Sequence, residues 1–398
     1  MFQYTFNMAQ TLAIAIILLL IGRYIKAKIS FFEKFFIPAP VIGGVIFAIF
    51  TLIGHSTNSF TFSFDGNLKD LLMIAFFTTI GFLASLKMLK KGGIQVFIFL
   101  AVAVLLVIIQ NLAGVGMAKM FGLNPLLGLA AGSVPLTGGH GTSGAFGPVL
   151  EAAGAHGALS VAIASATFGL VAGCMIGGPI AKRLMLKHQL KSYDEETPLY
   201  TDETLEKDTV QNASEATIFK AIVFIAISMG IGSFVGPFAK TFGVTLPPYI
   251  GPMLIAAIFR NIFDSSKKEL PLHSINIIGN ISLQLFLAMA LMTMRLWELA
   301  ALALPLVVML VVQTIIMALY AHFVTFNIMG RDYDAAVLAT GHCGFGMGAT
   351  PNAMANMETF TTANGPSPNA FFVIPLVGSL FIDFVNAAII TLFINIFG

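Results

Sequence analysis

GGHGTSGAFGP, residues 138 to 148, and GHCGFGMGATP, residues 341 to 351, lie about half a chain apart, each with a Gly-His pair and each ending in proline. Both interrupt sequence that is otherwise apolar enough for a bilayer. Of the 398 residues 57% are hydrophobic and 10% charged, with a mean hydropathy of +0.89, whereas soluble globular chains carry roughly 25% charged residues. The apolar runs recur at the ~20-residue length that crosses a hydrocarbon core. The composition reads as an integral, multi-span membrane protein. Paired interruptions in corresponding positions of two membrane halves point to a transporter's binding site.

Cutting the chain at charged or Pro/Gly/Asn-rich breaks gives spans near 6–22, 38–54, 70–86, 94–118 and 157–181, then near 217–238, 247–260, 274–294, 299–323 and 370–396. The expected organisation is a first five-span unit (1–181), a hydrophilic linker (182–216) and a second five-span unit (217–398). The linker holds Asp194, Glu195, Glu196, Asp202, Glu203, Glu206, Asp208 and Glu215 and is too acidic to enter lipid. The glycine-rich stretches near 125–150 and 333–357 fall between the fourth and fifth span of each unit. They read as re-entrant hairpins, since irregular backbone at membrane depth is tolerated only where protein buries it or water lines it. The first apolar run lacks the basic start and small-residue cleavage site of a signal peptide, so it reads as a span.

Lys and Arg favour cytoplasmic loops. Arg23, Lys26, Lys28 and Lys34 follow span one, Lys87, Lys90 and Lys91 follow span three, and Lys182, Arg183, Lys187 and Lys191 follow span five, while the alternate loops are nearly bare. The pattern predicts both termini outside and a cytoplasmic linker, with the two units in opposite topology. Pro40-x-x-Gly43 and Pro248-x-x-Gly251, and Gln110 and Gln313 ahead of the two hairpins, extend the internal repeat beyond the Gly-His pairs. The fold class expected is therefore an all-α polytopic membrane protein of two inverted-topology repeats, each with a glycine-rich re-entrant hairpin. The bland alternative is two glycine-rich helix-packing segments.

Helices that stop inside a membrane expose N–H groups and partial positive charge at their starts, which suits an anion. Gly138, Gly139, His140, Gly141, Thr142 and Ser143 in the first motif, and Gly341, His342, Cys343, Gly344, Phe345 and Gly346 in the second, are the candidate substrate-binding residues. Oxygen ligands suit a hard cation, so Thr78, Thr79, Thr350, Asn352, Asn356, Asp383 and Asn386 are candidates for sodium. Each of these polar residues alone also reads as an ordinary helix-packing group. Asp383 is the sharpest, because a carboxylate deep in a span is costly and faces a bundle interior or cavity. It would meet a substrate ammonium or a cation, or stand as a structural hydrogen-bonded acid. Glu151 serves equally as a second such acid or as an interface residue. His140 and His342 read as hydrogen-bonding scaffold or substrate contacts, and Cys174 and Cys343 as ordinary buried thiols. No prosthetic group, nucleic-acid partner or enzyme motif is suggested.

At these residues the chain resembles the bacterial sodium/glutamate symporter family. The resemblance rests on GGHGT at 138–142, ATFGLVAG at 166–173, LFLAMALM at 285–292, LWELAALALP at 296–305, YDAAVLATGHCGFGMGATPNAMANM at 333–357 and FIDFVNA at 381–387. It implies uptake of L-glutamate across the bacterial cytoplasmic (inner) membrane, coupled to inward movement of sodium ions, by a homodimer working as an elevator. Spans three to five and eight to ten with both hairpins would form the moving core. The glycine-rich hairpins would then meet around glutamate, with Asp383 accepting its ammonium. A transporter of the same architecture for another dicarboxylate or driven by protons, an ion channel, and a membrane scaffold or receptor are the alternatives.

Overall fold

The computed structural model describes residues 2–35, 37–91, 93–192, 214–242, 246–266 and 269–398, so most of the acidic linker lies outside the described residues. The fold begins with an element the helical expectation lacks. FQYTF and FTFSF alternate with period two, and they form strands β1 (Phe2–Phe6) and β2 (Phe60–Phe64), paired in parallel from Phe2 opposite Phe60 to Phe6 opposite Phe64. Alternating aromatic residues suit a pleated surface. Phe6, expected to open the first span, is the last residue of β1, and helix α1 (Met8–Lys28) starts after it. Asn7 and Gln10 set that start by a reciprocal capping box, each side chain accepting from the other's main-chain N–H at 3.0 Å.

Short α2 (Ser30–Lys34) leads to α3 (Ala39–Ser56), whose Pro40 stands near the helix start, where the missing N–H costs nothing. After β2 come α4 (Asn67–Leu83), short α5 (Leu86–Lys91) and α6 (Gly93–Met120). The first glycine-rich region folds as α7 (Pro125–Ala130), α8 (Ser133–Leu136) and α9 (Gly139–Ala152). Helix α10 (Ala158–His188) closes the first half, and it runs past residue 181 into the stretch read as linker.

The second half comprises α11 (Glu215–Gly232), α12 (Val235–Lys240), α13 (Ile250–Ser265), α14 (Leu272–Leu291), α15 (Leu296–Ala301) and α16 (Ala303–Tyr320). A π-helical turn, Ala321–Thr325, joins α16 to α17 (Phe326–Ile328). The second glycine-rich region folds as α18 (Tyr333–Gly346) and α19 (Thr350–Asn364). The final span is α20 (Pro368–Pro375), a π-helical turn at Leu376–Phe381 and α21 (Ile382–Phe397). Pro375 supplies the cause of that turn, because it cannot donate to the helical ladder.

Among the described residues nine helices are long and apolar enough to cross a membrane. The seventh expected span is α13, which has only 16 residues. Its helix opens after Pro247 and Pro248, and proline disfavours helical conformation in the residue before it.

Two packing groups follow from the apolar faces. Helices α1, α3, α4, α11, α13 and α14 pack among themselves, with α4 against both α14 and α13. The hairpins pack with α6, α10, α16 and α21, where α10 lies along α18 and α6 along α7. The largest buried cluster runs through both groups, joining Val41, Phe77, Met253 and Phe286 of the first to Phe99, Leu106, Phe146 and Phe345 of the second.

Gly114 of α6 and Gly128 of α7 let two helices touch main chain to main chain, since a Cβ on either would overlap the other's backbone. Small residues allow this close approach in membranes. Gly116, two residues on and on an exposed face, has nothing within 4 Å of its missing Cβ. Gly128→Ala is expected to destabilise by about 1–3 kcal/mol through overpacking. Gly116→Ala should leave the midpoint unchanged or raise it slightly, as expected for Gly→Ala in an exposed helix. Thermal unfolding of the purified protein in detergent checks the contrast, and equal midpoints for the two variants would contradict it.

Candidate functional site

Each half interrupts its helices at membrane depth in a different way. In the first, Asn124 caps α7 by accepting from Leu126 N–H at 2.9 Å. The chain breaks after Ala130, and the Ser133 N–H is taken up by Asn111 Oδ1 at 3.0 Å. Thr137 and Gly138 make the turn, and Gly139, with φ +63°, opens α9. That backbone region favours glycine. In the second half Asp332 caps α18 by accepting from Ala335 N–H at 2.8 Å. The turn comes at Met347, Gly348 and Ala349, before α19 starts with Thr350 and Pro351.

The two turns meet. A Cβ on Gly139 would stand 3.1 Å from the carbonyl oxygen of Gly348. Neither α9 nor α19 has a side chain capping its start. Two helix N-termini, each with N–H groups left over by the helical pattern, therefore open from tips that touch.

The first motif lies where the sequence places it. Gly138 precedes α9, and Gly139, His140, Gly141, Thr142 and Ser143 form its first turns. His140 Nε2 and the Thr167 hydroxyl are 3.0 Å apart, which ties the tip to α10. The Ser143 hydroxyl donates to Gly139 O at 2.7 Å. Gly141 is partly exposed and faces Phe76 of α4 and Leu283 of α14.

The second motif corrects the expectation of a helix N-terminus at 341–346. Gly341, His342, Cys343, Gly344, Phe345 and Gly346 form the last, wholly buried turns of α18. That end presents carbonyls, and the helix start lies further on, at 349–352. The physical reason is Pro351, which favours the first turn of a new helix and so places the break after Gly348. His342 Nδ1 meets the Thr325 hydroxyl at 2.9 Å and its ring stacks on Phe345 with centroids 4.9 Å apart. Cys343 is a buried free thiol.

The sodium candidates separate into three groups. Thr78 and Thr79 donate back to Ile74 O and Phe76 O of their own helix, each at 2.7 Å. Asn352 and Asn356 join α19 to α10: Asn352 Nδ2 donates to Leu170 O at 2.9 Å, and Asn356 Nδ2 to Gly173 O at 3.0 Å. Asn352 Oδ1 and Thr340 Oγ1 are buried acceptors with no partner among the described residues. Thr350 Oγ1 faces Gly378 in the π-helical turn of the last span. Asn386 holds α21 to the first hairpin, accepting from the Ser133 hydroxyl at 2.7 Å and donating to Ser133 O at 3.1 Å. Asp383 is partly buried one turn before it, with no hydrogen-bond partner among the described residues. Among the described residues no three His, Cys, Asp or Glu side chains cluster as a metal site.

Polar residues outside the candidate set also converge here. Gln110, Asn111, Ser133 and Gln313 are all fully buried. Gln110, followed by Asn111, and Gln313 are carboxamides inside apolar spans, and that setting is the signal that marks them.

The description "Sodium/glutamate symporter" belongs to a family model that matches residues 4–366. A sodium/glutamate symporter of Escherichia coli strain K12 is 45% identical over 398 residues, covering 96% of each chain. One from Haemophilus influenzae is 41% identical over 393 residues, covering 98% of this chain and 97% of its own.

Asn386→Ala removes both bonds to Ser133. The Ser133 carbonyl keeps the N–H groups of Thr137 and Gly138, but its buried hydroxyl is left without an acceptor, at about 1–3 kcal/mol for the unsatisfied group. A clear drop in thermal midpoint is expected, with Asn395→Ala, on the same helix but part-exposed, as the mild comparison. A midpoint unchanged by Asn386→Ala would show that the pair holds nothing.

Proposed function

The chain belongs to the sodium/glutamate symporter family, and on that premise we propose that it takes up L-glutamate across a bacterial cytoplasmic membrane together with sodium ions moving inward. It is a transporter and not an enzyme. The meeting of two broken hairpins at Gly139 and Gly348 is the observation that carries the site. In this reading the two halves are inverted repeats, with α7–α9 and α18–α19 entering from opposite sides. Their like position in each half, between the fourth and fifth spans, supports it.

Glutamate's carboxylates dock on the uncapped starts of α9, at the N–H groups of 139–141, and of α19, at the Thr350 N–H, since Ala349 and Asn352 already donate to Gly344 O and Ala349 O and Pro351 has no N–H. The helix dipoles there favour negative charge. Gly341–Gly346 lie behind the second tip and supply carbonyl oxygens and the close packing that seats it. Asp383, partly buried and without a hydrogen-bond partner among the described residues, receives the substrate ammonium or a sodium ion. Sodium, as co-transported substrate, finds hard oxygen donors in Asn352 Oδ1, which has no other partner among the described residues, and in Thr350. Asn356 and Asn386 spend their amide N–H groups on main-chain carbonyls, and their part is to hold the helices around the site. Thr78 and Thr79, bonded within α4, stand on the wall facing α14.

Symport requires each solute to bind better in the presence of the other, and linkage makes that preference reciprocal. A site shared by two touching tips meets this need, because closing one tip on glutamate also arranges the oxygens of the other. The moving body is then the hairpin group with α6, α10, α16 and α21, working within a homodimer whose termini face outside. Helices α4 and α14, spans three and eight, were expected in the moving core; because they pack mainly on each other and on α1, α3 and α13, they stand instead along the track on which that body moves.

Proteoliposomes are expected to accumulate labelled L-glutamate under an inward sodium gradient and to lose that uptake when potassium replaces sodium. Uptake of equal rate without sodium would sink the symport reading. Asp383→Asn should raise the glutamate KM at least roughly tenfold, the loss expected when one member of a desolvated charge pair is removed. An unchanged KM together with an unchanged sodium requirement would remove Asp383 from the site.

A further inference from the structure

Gln110 lies within α6 and is wholly buried. Its carboxamide reaches both hairpins. Nε2 donates to the carbonyl oxygen of Gly346 at 2.7 Å, and Oε1 accepts from the Thr137 hydroxyl at 2.8 Å. Its main-chain oxygen accepts from Gln313 Nε2 at 2.8 Å, so a carboxamide of the second half holds the same turn of α6 in place.

Both partners sit where the chain has run out of helix. Gly346 ends α18, and its carbonyl is one of those that a helix terminus leaves without an internal partner. Thr137 follows α8 and precedes Gly138. From Gly346 it is two residues to Gly348, and from Thr137 two residues to Gly139, the pair that touch. The contacts close a ring: Thr137, Gln110, Gly346, Met347, Gly348, Gly139, Gly138 and back to Thr137. One side of that ring is the Gln110 carboxamide with the Thr137 hydroxyl, and the rest is main chain.

Lipid-depth packing alone would not call for an amide here. An apolar side chain would fill the same space without the desolvation cost of a buried amide. Its carboxamide oxygen, carboxamide nitrogen and main-chain oxygen each meet a group 27, 236 or 203 residues away. Buried hydrogen bonds between distant segments rigidify what they join.

We propose that Gln110 is a positioning residue that sets the separation of the two hairpin tips, so that the arrangement of one tip fixes that of the other. It touches neither solute. The inference rests on the reading of the tips as the glutamate and sodium site, and it deepens that reading by naming the side chain that makes the two tips one unit. Gln110 then acts on both affinities together, by the reciprocity of linked binding.

The test uses the purified full chain and four variants: Gln110→Met, Thr137→Val, Thr137→Ser and the Gln110→Met/Thr137→Val double variant. Amide hydrogen exchange is followed at 137–141 and at 346–350. Binding of labelled L-glutamate is titrated at several sodium concentrations. Thr137→Val should speed exchange at both tips, including the second hairpin, with which the substituted residue shares no main chain. It should raise the glutamate Kd by about fivefold, the scale of one hydrogen bond, and move the sodium midpoint upward. Thr137→Ser should restore both. The double variant should bind no worse than Gln110→Met alone, because contacts in one network are not additive.

Exchange unchanged at 346–350 in Thr137→Val, additive losses, or a lowered thermal midpoint with an unaltered Kd and sodium midpoint would each overturn the proposal. Should Gln110→Met fail to fold, the Val and Ser variants at Thr137 decide the question by themselves. A wild-type protein that binds no glutamate with sodium present would overturn the transport reading, and the exchange pattern would still decide the role of Gln110.

Discussion

Helices that end at membrane depth leave carbonyl and amide groups that lipid cannot satisfy, and the rest of this molecule is arranged around meeting that demand. Asn111 takes the first N–H of α8, Gln110 takes the last carbonyl of α18, and Asn386 clasps Ser133 from the final span. These carboxamides come from helices that otherwise carry an apolar surface. Their placement accounts for why the hairpins sit in the interior, since only there can several spans reach a broken end at once. The helix starts that remain uncapped, α9 and α19, stand out against this background of satisfied groups.

The same demand explains the uneven distribution of glycine. At Gly114 and Gly128 two backbones lie in direct contact, which brings α6 close enough for Gln110 and Asn111 to reach the hairpin beside it. Packing and polar satisfaction are thus one arrangement here. Widening that contact would lengthen every hydrogen bond from α6 to the hairpins.

Much of this was legible in the sequence. Nine of the ten apolar runs marked helices long enough to cross a membrane, because span length and hydropathy are set by the bilayer and not by tertiary detail, and the remaining run formed the shorter α13. The first tip at Gly138–Gly139 was legible from its glycines. The second was misplaced, because Gly341–Gly346 look like a break but pack as helix, with their bare faces against Met357, Ile374, Ala353, Leu106 and Met317. The informative residue was Pro351, which marks a helix start more sharply than glycine marks an end. Which polar groups share a bond was not legible, as with Ser133 and Asn386, 253 residues apart. The strands β1 and β2 escaped notice because Phe-rich runs of five residues look like span margins until their partner is known.

Those strands impose a tether. β1 leads into α1 and β2 into α4, so the parallel pair fastens the beginnings of two helices of one packing group to each other. Only Asp65 and Gly66 separate β2 from α4, and Asp65 is itself engaged, its N–H on Phe6 O at 3.1 Å and its carboxylate on Asn67 N–H at 2.9 Å. Three chain steps extend to roughly 10 Å at most. So short a leash leaves the start of α4 no freedom to part from the start of α1.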